Sequence, residues 1–192
     1  AGLLDAAGVR TFVGGNIGRA LLPYVEQIRP EDAAVVELSS FQLTGMRQSP
    51  QVAVVTNVAP NHLDWHNDIT RGFAAECLGT VSTFSRRGRV ERGCFLSADR
   101  QIVYTADGKD TVVMSADEIR IPGEHNIENY MAAIDAVWGR VTTAQIVRFA
   151  RAFGGVEHRC ELVRERRGVR WYNDSIGSSP SRTIAGLRAF RQ

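Results

Sequence analysis

The sequence is nearly devoid of lysine. Of its 23 Lys and Arg residues only one is lysine, Lys109, and the other 22 are arginine. No second lysine is present to serve a phosphate-binding loop, a Schiff base or a Ser–Lys dyad. Cysteine is also scarce: Cys77, Cys94 and Cys160 are odd in number, far apart and without a CxxC pair. That pattern argues against a disulfide framework and fits a reducing cytoplasm. No apolar run approaches the roughly 18 residues of a membrane span. The first residues, Ala1-Gly2-Leu3-Leu4-Asp5, lack both Met and a basic stretch. They read as a processed or truncated start rather than a signal peptide. There is no internal repeat and no low-complexity segment.

What is present is ordinary globular composition: 192 residues, 44% hydrophobic and 23% charged, with 18 glycines. The length suits one α/β domain and part of a second. A net charge of +2 is too small to argue for nucleic acid or a membrane surface.

Residues 9–13 read as a short strand, which Gly14-Gly15-Asn16 is expected to break. Over 17–28 the apolar residues Ile17, Leu21, Val25 and Ile28 recur at helical spacing, and Pro30 ends the pattern. Residues 33–38 and 52–55 read as buried parallel strands of a doubly wound sheet. Polar residues after such strands sit at the carboxyl edge, where α/β ligand sites lie. A weak helix is predicted over 69–80, with Gly72 and Gly79 against it. The basic run over 86–93 lacks both apolar periodicity and interleaved aromatics. A solvated loop suits it better than a nucleic-acid site. Short strands follow at 95–96, 102–105 and 112–114, with a turn at Asp107-Gly108. Helices are predicted over 127–137 and 143–153. Gly154-Gly155 marks the expected domain boundary, giving domains 1–154 and 155–192. Beyond it come a charged hairpin turning at Arg167-Gly168 and a helix over 182–190.

Four places carry candidate chemistry. Glu37 closes an apolar strand in Glu37-Leu38-Ser39-Ser40-Phe41-Gln42-Leu43, a position suited to magnesium in a nucleotide-binding fold. A carboxylate buried there is costly unless paired or metal-bound; capping of a following helix is the plainer reading. His62 and His66, four apart, would share a helical face, but Pro60 argues for a loop. No third or fourth ligand has zinc spacing. Asn126 and Asn129, three apart at a helix start, can present amides to an adenine edge or cap the helix. Arg159 beside His158, and Asp174 within Asn173-Asp174-Ser175, fit a phosphate or ribose site. Surface ion pairing would explain each of them separately.

In order, the segments Gly14-Gly15-Asn16-Ile17-Gly18, Glu37 to Leu43, Asn61-His62-Leu63-Asp64, Gly123 to Asn129, Glu157-His158-Arg159 and Asn173-Asp174-Ser175 resemble the Mur ligases. The likeness covers about residues 9–190. The first two segments point to the branch that adds D-glutamate to UDP-N-acetylmuramoyl-L-alanine. The resemblance implies an α/β fold: a central ATPase domain with a mostly parallel sheet flanked by helices, truncated at its N-terminus, then the start of a Rossmann-like C-terminal domain. It also implies ATP and Mg2+, with UDP-N-acetylmuramoyl-L-alanine and D-glutamate as substrates. ATP would phosphorylate the substrate carboxylate to an acyl phosphate, which the amine of D-glutamate attacks. By the same resemblance Glu37 and His62 serve catalysis as magnesium ligands, and Asn16, Ser39 and Ser178 contact substrates. Asn126 and Asn129 hold the adenine side; Arg159 and Asp174 reach the nucleotide.

The sequence departs from the family at several points. The phosphate loop with its lysine belongs before Gly14, and nothing here supplies it, so these 192 residues alone are expected to be inactive. Cys77, fifteen residues after His62, stands where the family has a lysine that is carbamylated. Ile176 stands where many members have lysine. The stretch over 71–92 lacks the family's Ala-Lys helix, by divergence or by a local frameshift. Two other readings remain: another Mur-type ligase of the folylpolyglutamate synthase branch, or a non-catalytic nucleotide-binding module.

Overall fold

The structure is a computed structural model that describes residues 1–55, 77–177 and 180–190. His62, His66 and Ser178 lie outside the described residues, as does most of the helix predicted over 69–80. Its last four positions, 77–80, are not helical. The chain divides into two compact units, Ala1–Val81 with Ala136–Ile146, and Ser82–Asp135 with Val147–Gln192.

In the first unit, helix α1 (Gly2–Ala6) precedes strand β1 (Thr11–Gly15), which pairs in parallel with β2 (Ala33–Glu37). The two glycines expected to break the first strand are its last two residues. Gly14 and Gly15 are opposite Val36 and Glu37 in the ladder. Phe12 and Ala33 are buried, whereas Val13 and Val36 face outward. The strand expected at 33–38 is thus present and paired in parallel, with residues 11–15 as its partner, but it is only partly buried. Helix α2 (Ser40–Thr44) follows β2 directly.

Two sequence readings fail here. The helix over 17–28 is absent: Gly18 sits at φ +67°, outside the right-handed helical region, and Pro23 opens a 3-10 turn, Leu22–Gln27. Ile17 and Val25 of the supposed apolar stripe are 53% and 56% exposed. The run over 52–55 is not a strand either. Val52, Val54 and Val55 are exposed and have no ladder partner among the described residues. A strand takes its hydrogen bonds from a neighbour, so apolar β-branched residues alone do not make one.

The second unit is built on a four-stranded sheet in the order β3 (Thr83–Ser85), β4 (Gly93–Leu96), β5 (Gln101–Ala106), β6 (Lys109–Ser115). β3 and β4 are parallel; the other pairs are antiparallel. The β5–β6 turn is Asp107-Gly108, at φ +52° and +75°, the left-handed pair that tight hairpins require. Helix α3 (Glu124–Val137) carries Ile127, Met131 and Ile134 along one buried stripe. Full burial of a side chain such as Met131 or Ile134 contributes about 1.5–3 kcal/mol. The helix is tied to the β3 segment at both ends. Ser82 Oγ donates to Asp135 at 2.7 Å, and Arg86 Nε donates to Glu128 at 2.7 Å. Helix α4 (Thr143–Ala152) stacks Phe149 against Phe153 and sets Phe149 beside Tyr130. The hairpin of β7 (Glu161–Arg166) and β8 (Val169–Asn173) and helix α5 (Pro180–Arg188) complete the unit. Tyr172 packs on Phe190, with ring centroids 4.3 Å apart. The fold is α/β, and β1–β2 and β3–β4 are the parallel strand pairs among the described residues. No helix among them is long and apolar enough to cross a membrane.

The basic run over 86–93 is neutralised from within. Arg86 pairs with Glu124 and Glu128, Arg89 with Asp110, and Arg92 with Asp107. The loop reading holds, and three of the run's arginines are committed to acids of the same unit.

Two groups in this unit yield predictions. The Tyr130 hydroxyl is buried without a hydrogen-bond partner among the described residues, and burial pushes its pKa up to about 12. Because an unpaired buried hydroxyl costs about 1–3 kcal/mol, Tyr130→Phe should raise the urea midpoint by roughly 1 kcal/mol of stability with an unchanged slope. Asp135 has a raised pKa, chiefly through burial, partly offset by the Ser82 hydrogen bond. Its contribution to stability is full below the ordinary carboxylate pKa, about 3.9, and is lost as pH rises through the raised folded value. Asp135→Asn should therefore stabilise the protein at pH 7 but not below pH 4, as thermal melts across that range will read.

Candidate functional site

At the carboxyl edge of the β1–β2 pair there is no room for a side chain on Gly15. A Cβ on Gly15 would lie 2.2 Å from the Glu37 carbonyl oxygen, and Gly15 itself adopts φ +108°. Gly14 is equally confined, with the Arg19 carbonyl 2.1 Å from where its Cβ would stand. Only glycine fits both places. The approach lets the Asn16 N–H donate to the Glu37 carbonyl at 2.9 Å, so Asn16 and Glu37 leave the sheet side by side. Two residues on, Ser39 starts α2 through a reciprocal capping box. The Gln42 N–H donates to Ser39 Oγ at 3.4 Å, and the Ser39 N–H to Gln42 Oε1 at 2.9 Å. Three of the predicted substrate and metal residues, Asn16, Glu37 and Ser39, thus share one strand edge.

This geometry corrects one premise. The Glu37 carboxylate is exposed rather than buried, so desolvation does not force a partner on it. Nor does it cap α2, since Ser39 and Gln42 do so. Among the described residues Glu37 has no side-chain hydrogen bond or ion pair, and no cluster of three or more potential metal ligands occurs.

In the second unit, Asn126 is 8% exposed. Its side-chain amide donates to the Pro122 carbonyl at 2.6 Å, and its oxygen accepts from Asn129 Nδ2 at 3.1 Å. The two amides face the same way, as their spacing implies, and are locked to one another. Asn126 therefore does not cap α3; it anchors the chain entering the helix, while Asn129 stands exposed beside it.

The third group is a clasp. Glu157-His158-Arg159-Cys160 closes on Asn173-Asp174-Ser175-Ile176 through three bonds among the described residues. Asn173 Nδ2 and His158 Nδ1 lie 2.9 Å apart, the Ile176 N–H donates to the His158 carbonyl at 3.2 Å, and the Cys160 N–H donates to Asp174 Oδ1 at 3.1 Å. His158 and Cys160 are both left-handed, at φ +64° and +43°, and Arg159 between them is exposed. Such conformations cost about 1–3 kcal/mol each and persist where the surroundings impose them. No ion pair joins Arg159 to Asp174 among the described residues. The start of α3 lies next to this C-terminal module: Ala189 Cβ is 3.1 Å from where a Gly123 Cβ would be, and Ile121 Cγ2 is 3.3 Å from the same point on Gly155. Cys160, Gly177 and Gly186, which close around Asp174, were not singled out in the sequence. The one local signal was a glycine inside a helix, Gly186, a residue that is unfavourable there without a packing reason.

Comparison with known proteins gives this arrangement a family. The description "Mur ligase middle domain" matches residues 24–78. A UDP-N-acetylmuramoylalanine--D-glutamate ligase of Acetivibrio thermocellus is 46% identical over 98% of the chain, and namesakes from Clostridium botulinum and Clostridium kluyveri are 44% and 41% identical over 98% and 99%. The chain belongs to the Mur ligase family. It spans about half the length of the curated relatives it matches, 46% in each of these three. The first alignment runs over 217 positions against the 192 residues here. At least 25 positions of that Mur ligase therefore have no counterpart in this chain. The fifteen-residue spacing from His62 to Cys77 accordingly does not by itself equate Cys77, which is exposed, with the family's carbamylated lysine.

The close strand approach generates a test. Gly15→Ala should destabilise the protein by about 2–4 kcal/mol, from backbone strain of about 1–3 kcal/mol plus the clash with the Glu37 carbonyl. Gly18→Ala, where nothing lies within 4 Å, should cost only the strain of its positive φ. Chemical denaturation of both variants reads the difference.

Proposed function

We propose that this chain is part of an ATP-dependent amide ligase that joins D-glutamate to UDP-N-acetylmuramoyl-L-alanine. Residues 1–154 would contribute to its central nucleotide-binding domain and 155–192 to the start of its C-terminal domain. The observation that carries the reading is the shared edge of β1 and β2, where Asn16, Glu37 and Ser39 emerge together, in a chain whose relatives bear that enzyme's name. The reaction couples two steps. The substrate carboxylate takes the γ-phosphoryl group of ATP, forming an acyl phosphate and ADP. The D-glutamate amine then attacks the acyl carbon, the C–N bond forms, phosphate leaves and the amine sheds a proton.

Phosphoryl transfer asks a protein mainly for positioning and charge neutralisation. Magnesium, held by one or two carboxylates together with substrate phosphates, supplies that neutralisation when bound. Glu37 fits such a site: it is a hard oxygen donor, exposed at the sheet edge and uncommitted among the described residues. His62 is the proposed second ligand. Asn16 would donate its side-chain amide to the UDP-sugar. Ser39 is tied up in the capping box, so its backbone position is fixed and its hydroxyl is left one lone pair for substrate. Asn129, oriented by Asn126, would meet the adenine edge. Arg159 would meet a phosphate as a fixed cation, and Asp174 the ribose. Ser178 would lie near D-glutamate.

The test is phosphate release by the product of the whole reading frame that contains these residues. Release should require ATP, UDP-N-acetylmuramoyl-L-alanine and D-glutamate together, and Glu37→Gln should lower kcat about 100-fold or more, the scale of losing one group that stabilises developing charge. Turnover with a folate and L-glutamate but not with the UDP-sugar would assign the chain to a different ligase reaction.

A further inference from the structure

The Asp174 carboxylate is held more tightly than a nucleotide contact alone requires. Oδ1 accepts the Cys160 N–H at 3.1 Å. Oδ2 lies against two glycines, 2.8 Å from where a Cβ on Gly177 would stand and 3.0 Å from the same point on Gly186. Any side chain at either place would push the carboxylate out. The Cys160 sulfur reaches the same notch, 3.4 Å from the Gly186 position. Thiol and carboxylate thus share one glycine on α5, a helix that otherwise gains nothing from glycine. The left-handed backbone of Cys160, φ +43°, sets its N–H beside Asp174. The Cys160 pKa is raised, first by burial and then by the charge and hydrogen bond of Asp174. The thiol therefore stays protonated near neutrality, a weak donor facing an acceptor.

We propose that Cys160 is a positioning residue: its N–H and thiol seat the Asp174 carboxylate in the notch between Gly177 and Gly186, and so set the affinity for ATP. This rests on Asp174 being a nucleotide-binding group. Serine is the conservative replacement, since it keeps a donor of similar reach, whereas alanine removes the donor and leaves the backbone bond.

The experiment measures equilibrium binding of ATP to the protein of the whole reading frame, alongside its thermal midpoint. Cys160→Ala should weaken ATP binding about three- to tenfold, the effect of losing one weak hydrogen bond to a charged group, with little change in midpoint. Cys160→Ser should restore it. In the Asp174→Asn background, Cys160→Ala should add nothing, because the group it positions has already been changed. Additive effects, or unchanged affinity in Cys160→Ala while Asp174→Asn weakens binding, overturn the positioning role and leave the Asp174 reading standing. Unchanged affinity in Asp174→Asn removes the nucleotide role of Asp174, and the proposal with it. A second readout needs no nucleotide. Removing the Asp174 charge lowers the Cys160 pKa, so Asp174→Asn should speed iodoacetamide labelling of Cys160 at pH 8, followed by peptide mass. An unchanged rate overturns the thiol–carboxylate pairing.

Discussion

The contact on which the first unit depends is the one between Gly15 and the Glu37 carbonyl. Parallel strands have no hairpin to set their register, so something within the ladder must do so. Here Gly15, which has no side chain, leaves room for the Glu37 carbonyl, and Asn16 closes the contact with its N–H. A slip of β1 by one residue would set Gly15 against a different carbonyl and turn the buried Phe12 to the other face of the ladder. Once the register is fixed, Glu37 ends the strand at a defined point. The Ser39–Gln42 box then starts α2 two residues later. The positions of Asn16, Glu37 and Ser39 therefore follow from a steric constraint at Gly15 rather than from attraction between the residues themselves.

The sequence was most legible where local chemistry alone decides structure. Asp107-Gly108 and Arg167-Gly168 each adopt the left-handed pair of a tight hairpin, and the strands flanking them begin and end within three residues of the expected places. Helices α3 and α4 were readable because Ile127, Met131 and Ile134, and Ile146 and Ala150, repeat at helical spacing and are buried. The failures have a common cause. Over 17–28 and 52–55 the apolar pattern was real, but it reports a possible face and not the surface that would cover it. Gly18 and Pro23 override the first pattern, and the second has no paired neighbour among the described residues. Glu37 was misjudged as buried for the same reason. The Asn126–Asn129 link was visible in a spacing of three. The Cys160–Asp174–Gly186 notch was not, because residues 14 and 26 positions from Cys160 meet only through the hairpin and α5.

Arginine in place of lysine has consequences beyond the missing lysines. In the second unit Arg86, Arg89, Arg92, Arg100 and Arg151 all pair with acids. Exposed pairs of this kind contribute little individually, about 0–1 kcal/mol. Their main effect is on specificity: a run that would otherwise present a cationic strip is folded onto the acids of β6, of α3 and of the β5–β6 turn. A polyanion gains little by displacing carboxylates already within hydrogen-bond reach. Arg159 differs from these, being exposed at the tip of a turn whose two flanking residues are in left-handed conformations.

That difference bears on what the clasp is for. Stability alone would favour relaxing His158 and Cys160 to ordinary backbone angles, since each left-handed residue costs free energy that an exposed loop can avoid. Three hydrogen bonds join the strained turn to the segment from Asn173 to Ile176, and the His158 N–H donates to the Glu161 carboxylate beside it. The strain therefore fixes a relation between two segments, with a cation at the apex of one and a carboxylate at the base of the other. The two charges are held apart: Asp174 receives the Cys160 N–H, and the guanidinium of Arg159 faces solvent. Had the loop been shaped by mutual attraction, the nearest cation would have closed on the carboxylate. No ion pair joins the two charges among the described residues, which leaves Arg159 and Asp174 to the separate phosphate and ribose contacts proposed for them.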